Sequence, residues 1–164
     1  MLRLRIAALF SLLLVAAGCG GNDLLPIVEQ IPGAWMGQVS SGSGGGARTQ
    51  STHLVLGGDG RFVWTETLYG DGAGHPDLPM HRYARFGQYR LRGEILEIRT
   101  EATESASGPA WTVVERTPVQ NPVWSGDQYR VTFQGEFMTL RFTTAPADEP
   151  IETTLVLQRT RPID

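Results

Sequence analysis

"LVLGGDGRFVW", residues 54–64, is two short alternating segments folded about a glycine-rich centre. Leu54 and Leu56 share one parity ahead of the centre and Phe62 and Trp64 share one behind it, the period-2 spacing of strands with one buried face. Asp59-Gly60 is the strongest short hairpin signal in the chain, a type I′ turn asking for positive φ at both central residues. Outward from this stretch the pattern repeats. "RYARFGQYRLRG" (82–93) and "EILEIRTE" (94–101) form a second hairpin about Arg92-Gly93, and "QYRVTFQG" (128–135) and "FMTLRFTT" (137–144) a third about Gly135-Glu136. "AWMGQVS" (34–40) stands before the first hairpin, "AWTVVERT" (110–117) between the second and third, and "IETTLVLQRT" (151–160) after the last. "SGSGGGARTQ" (41–50) and "YGDGAGHPDLPM" (69–80) read as loops, and Glu101 and Glu104 fall in a polar loop. Nine such segments in sequential hairpins predict an all-β, up-and-down antiparallel meander. Its simplest closure is an eight- to nine-stranded barrel, which removes exposed edges, with an open sandwich as the alternative.

The N-terminus is different in kind. Arg3 and Arg5 make a basic start, Ile6 to Ala17 is apolar except for Ser11, and "AAGC" (16–19) brings small residues up to the single cysteine, Cys19. That is the layout of a secretory signal, and the apolar run is well short of the ~20 residues a membrane-crossing helix needs. A cysteine at the cut has a use only as an acylation site, and "AAGC" resembles the lipobox of bacterial lipoproteins, with Ala16 where Leu is usual. The expectation is a lipoprotein signal peptide over 1–18, a lipidated Cys19 with its tether over 19–32, a barrel over 33–160 and a tail over 161–164. The resemblance further implies, from Gly20 at the second mature position, export to the outer membrane in a Gram-negative host. Anchoring would hold the domain within roughly 50 Å of the bilayer, facing the periplasm.

Cleavage removes Arg3 and Arg5, leaving 12 of the 14 basic residues against 17 acids, a balance of −5. There is no lysine, and the arginines are scattered singly along strand-like segments, so no nucleic-acid partner is expected. With the thiol acylated, no disulfide is available and the fold must rest on its core.

Gly33-Ala34-Trp35, at the start of the first strand behind the apolar turn "LLPIVEQIP" (24–32), resembles the GxW opening of lipocalins and lipocalin-like bacterial lipoproteins. "LVLGGDGRFVW" and "GQYRLRGEILEI" (87–98) are similar to the hairpins that follow it there, while a TDY-type turn is missing. The resemblance implies a calycin-type barrel in which Arg159, late in the last strand, packs over Trp35 and seals the base. A guanidinium on an indole face gains ~0.5 to 2 kcal/mol.

Few constellations suggest chemistry. His75 and His81 lie with Asp71, Asp77 and Met80, but six residues and two prolines between the imidazoles match no closed metal motif, and no metal is expected. His53 has no serine on a strained elbow. "GSGGGA" (42–47) mimics a dinucleotide loop without the helix that must follow it. Glu94 and Glu97, three apart on a strand, point to opposite faces and cannot act as a pair, so solvation is their expected state. No catalytic residue and no cofactor are assigned.

The aromatic parity carries more. Phe62 with Trp64, Tyr83 with Gly87 and Tyr89, and Tyr129 with Phe133 each share a strand face. If these faces turn inward, Glu66 and Arg85 turn inward with them and must pair or meet the polar group of a ligand, because unpaired buried charge is expensive. The expected function is binding of a small apolar or amphipathic ligand, with Trp64, Tyr89, Phe133 and Arg85 as wall residues. The alternative is a non-catalytic scaffold whose filled barrel presents loops to an envelope protein partner.

Overall fold

The computed structural model describes residues 25–41, 48–70, 78–107, 112–124, 128–144 and 150–160. Cys19, the signal segment, His75, Asp71 and Asp77 lie outside the described residues. One turn of helix, α1 (Ile27–Gln30), precedes nine strands: β1 (Gly33–Ser41), β2 (Arg48–Leu56), β3 (Arg61–Tyr69), β4 (Pro79–Arg92), β5 (Ile95–Ser107), β6 (Thr112–Pro118), β7 (Tyr129–Gln134), β8 (Phe137–Thr144) and β9 (Ile151–Thr160).

All pairings are antiparallel, and eight strands close into a ring, β1-β2-β3-β4-β5-β7-β8-β9, with β9 returning to β1. The ninth, β6, pairs on β5 outside that ring. This corrects strict sequential order. β5 divides its outer edge, giving residues 102–107 to β6 and Ile95 and Leu96 to β7, so the chain leaves the ring for one strand and rejoins it. Local alternation carries no information about which neighbour a long strand accepts.

Both closing seams sit at one end. β1 meets β9 through Ala34–Thr160, Trp35–Arg159 and Met36–Gln158, and β5 meets β7 through Ile95–Arg130 and Leu96–Tyr129, with Val131 donating to the Glu94 carbonyl at 2.8 Å. The turns at 57–60, 93–94 and 135–136 lie at this end, and α1 plugs it.

Several local expectations need correction. The first hairpin is not type I′: Gly60 has φ +78° but Asp59 is not left-handed, and Asp59 Oδ1 instead accepts from the Arg61 amide at 3.0 Å. The second tip is Gly93-Glu94 rather than Arg92-Gly93, while the third is Gly135-Glu136 as expected, each with only the glycine at positive φ, the II′ pattern. Pro79 and Met80 belong to β4, Arg48 to Gln50 to β2, and Glu101 and Glu104 to β5. Pairing with long neighbours extends these strands past their apolar residues, since ladder hydrogen bonds are indifferent to side chains.

The core fills the plugged end and the middle. Trp35, Leu54, Leu56, Leu96, Val131, Met138, Leu140 and Leu157 are essentially inaccessible, with Phe62, Trp64, Ile98 and Tyr129 nearly so. Gly87 marks where β4 and β5 press together, beside the irregularity in their register. A Cβ there would run into the Arg99 carbonyl oxygen, so no larger residue fits without moving backbone.

On the outside, the connection after β6 lies across β4 and β5. Val119 donates to the Glu101 carbonyl at 2.9 Å, and Trp124 is covered by Arg90 at 4.0 Å and approached by Arg99 at 5.5 Å. Glu97 is therefore not solvated as expected: it is buried beneath Arg90 and Arg92, the latter at 3.4 Å. Its partners come from the neighbouring strand, which spacing along its own strand does not reveal.

Candidate functional site

The strand registers divide the inner face into levels. Nearest the plug, Leu56, Phe62, Gly87 and Thr100 stand in one row across β2 to β5. The next row is Leu54, Trp64, Arg85 and Thr103, and above it come Thr52, Glu66, Tyr83 and Ser105. A further step reaches Gln50, Leu68, His81 and Ser107. The interior thus turns from apolar to polar within two residues of each strand, and Trp64 sits at the boundary.

Trp64 is 2% exposed and meets Tyr129 from the opposite wall with ring centroids 5.4 Å apart, and Tyr129 meets Phe142 at 5.0 Å. These three rings make a floor across the barrel. Two charged groups use the same indole. Its Nε1 donates to Glu66 Oε1 at 3.2 Å, while the Arg85 guanidinium lies over its face, 4.5 Å from the centroid. Arg85 and Glu66 form no ion pair with each other, and the buried Arg85 Nε has no hydrogen-bond partner among the described residues. A guanidinium held on an aromatic face keeps its in-plane N–H groups directed sideways, where an acceptor could meet them.

The plugged end has the same stack with a different outcome. Arg159 lies over Trp35 at 4.2 Å, its Nη1 donates to the Pro32 carbonyl at 3.0 Å, its Nη2 donates to the Gln30 carbonyl, and its Nε approaches Glu136 at 3.8 Å. Trp35 Nε1 donates to the Ile31 carbonyl at 3.0 Å. Gly33 is at φ +146°, and a Cβ there would fall 2.6 Å from the Arg159 guanidinium. The first residue of the GxW stretch is therefore glycine for both backbone and space.

The four wall residues expected from sequence do not gather. Trp64 and Arg85 are together at the polar boundary. Phe133 packs on Trp35 at 5.5 Å, and Tyr89 donates its hydroxyl to the Gly57 carbonyl at 2.7 Å, which places both toward the plugged end. Strand parity identifies a face but not a height along the barrel, and height depends on the stagger between strands. Phe142 was not singled out, although it continues the parity of Met138 and Leu140. Tyr129 and Glu66 were legible by parity alone. Burial, with the nearby Asp59 charge second, raises the Tyr89 phenol above its ordinary 10.0.

His81 Nδ1 lies 3.5 Å from Ser107 Oγ, and among the described residues no three His, Cys, Asp or Glu side chains gather as metal ligands. An open groove of about 390 Å³ flanks the β5–β7 seam on the outside, lined by Ile95, Arg130, Arg141 and Glu152 and reaching Phe142.

No family model matches the chain, and no curated protein matches it. Among solved structures it is similar to the crystal structure of Rv2717c from M. tuberculosis, at 12% identity, covering 82% of this chain and 96% of that one with a TM-score of 0.34.

Proposed function

We propose that this protein is a lipoprotein of the bacterial envelope, anchored through Cys19 on the periplasmic face of the outer membrane in a Gram-negative host. Its lipocalin-like barrel binds a small apolar or amphipathic molecule without catalysis. The observation that carries the binding reading is the Trp64 floor, where apolar interior meets a guanidinium whose Nε lacks a partner. Binding pockets combine mainly apolar walls with a few placed polar groups, and this level of the barrel has both. Tyr89 and Phe133 support the floor from below rather than forming its wall.

Native mass spectrometry of the full chain, released gently from its host membrane, tests the ligand. A retained small molecule that Trp64→Ala loses is the expected result, and a bare chain overturns the reading. Intact mass of the mature N-terminus tests the anchor: a diacylglyceryl-modified Cys19 is expected, and an unmodified cysteine removes it. A second reading, a scaffold presenting its loops to an envelope partner, draws on the dense packing below Trp64.

A further inference from the structure

We infer that Arg85 is an oxyanion-recognising group, so that the ligand is an amphipath carrying a carboxylate or phosphate whose apolar body rests on Trp64, Tyr129 and Phe142. This rests on the ligand-binding reading above and names its chemical class. Two arginines of the inner face are each stacked on an indole, at 4.2 Å for Arg159 and 4.5 Å for Arg85. Arg159 donates to two backbone carbonyls through its Nη atoms, and its Nε faces the Glu136 carboxylate at 3.8 Å. Arg85 has no such acceptor for its buried Nε, although Glu66 is held on the edge of the same indole. A buried donor left unmade costs the full desolvation of that group, so each one calls for an explanation. Arg99 Nε, on the outer face, is also unmet among the described residues, but the same side chain already donates to Gln88 and Glu101, whereas Arg85 faces the interior.

The completing group must be an acceptor, because a guanidinium only donates, and a charged acceptor makes the stronger, bidentate bond. The groups around Arg85 set further terms. Across the strands it neighbours Trp64 and Thr103, neither a formal charge, and one row above stand Thr52, Glu66, Tyr83 and Ser105. Hydroxyls beside a guanidinium fit an oxyanion, and Glu66 is the one group of the row that would repel it. The indole N–H bond holds Glu66 Oε1 at the ring edge, away from the face that Arg85 covers.

Calorimetry on the full chain in phospholipid nanodiscs, with empty nanodiscs as reference, tests this with octanoate, octyl phosphate and octanol. Octanoate or octyl phosphate is expected to bind about tenfold or more tighter than octanol, the order expected for one charge-assisted contact. Whichever of the two anions binds better identifies the headgroup. Arg85→Gln is expected to bring octanoate and octyl phosphate down to the affinity of octanol for the same variant, and Arg85→Lys restores only part of the difference. Glu66→Gln keeps an acceptor for the Trp64 N–H and strengthens anion binding several-fold, a gain that a misfolded variant cannot produce. Equal binding of octanoate, octyl phosphate and octanol overturns the oxyanion assignment and leaves the binding reading standing. No binding of any of the three overturns both.

Discussion

The plugged end and the middle of the barrel hold the same pair of side chains to different purposes. At the plugged end, Arg159 on Trp35 ties α1 and the Pro32 carbonyl to the last strand through two backbone acceptors, with the Glu136 carboxylate 3.8 Å from its Nε. Half-way up, Arg85 on Trp64 caps the floor and leaves its Nε–H without a partner among the described residues. Stacking alone therefore does not distinguish a structural arginine from a recognising one. The acceptors around it do, because an arginine bound to two backbone carbonyls cannot be moved cheaply, whereas one with an open donor contributes little to folding.

The largest break in that comparison is Trp35→Ala. It empties the largest fully buried side chain among the described residues and frees Arg159, and is expected to cost ~3–5 kcal/mol in urea unfolding. Arg159→Met keeps the volume but orphans the Pro32 and Gln30 carbonyls and is expected to cost about 2–3 kcal/mol, read as a shift in the denaturation midpoint at constant slope. Gly87→Ala strikes the row just below the Trp64 floor, where its methyl meets the Arg99 carbonyl, and should destabilise by about 2 kcal/mol in the same measurement.

Tyr89→Phe removes one bond to the Gly57 carbonyl, worth about 1 kcal/mol at neutral pH. Its pH signature is sharper. The folded state holds the phenol proton more tightly than the unfolded chain does, so this contribution is complete below pH 10 and fades as pH rises through the raised folded value. Melting temperatures between pH 9 and 11 should fall more steeply for the wild type than for Tyr89→Phe. Smallest is Arg85→Met, which trades an unmatched buried donor for an apolar side chain of similar length. Stability should change by less than about 0.5 kcal/mol. A loss as large as that of Arg159→Met would make the two stacks equivalent and remove the contrast between them.

Much of the barrel was legible in order. Period-2 alternation marks each of the nine strands, and glycine at 60, 93 and 135 marks the hairpins, because both signals come from a residue and its immediate neighbours. The inward turn of Trp64, Glu66 and Arg85 was legible for the same reason, as parity fixes the face. What parity lacks is reach. It did not show that Tyr89 and Phe133 stand below Trp64, that Phe142 completes the floor, or that Trp124, in an irregular stretch, is held by arginines of β4 and β5.

Reading residues in order was thus enough for the number of strands, their turn positions and which side of each strand is apolar, since a pleated chain writes those locally. Which strands close the ring, that β6 stands outside it, and which of two similar arginines keeps an open donor emerged only on folding. Those facts depend on the stagger between strands distant in the chain, and stagger is set by the packing of the whole core rather than by any one segment.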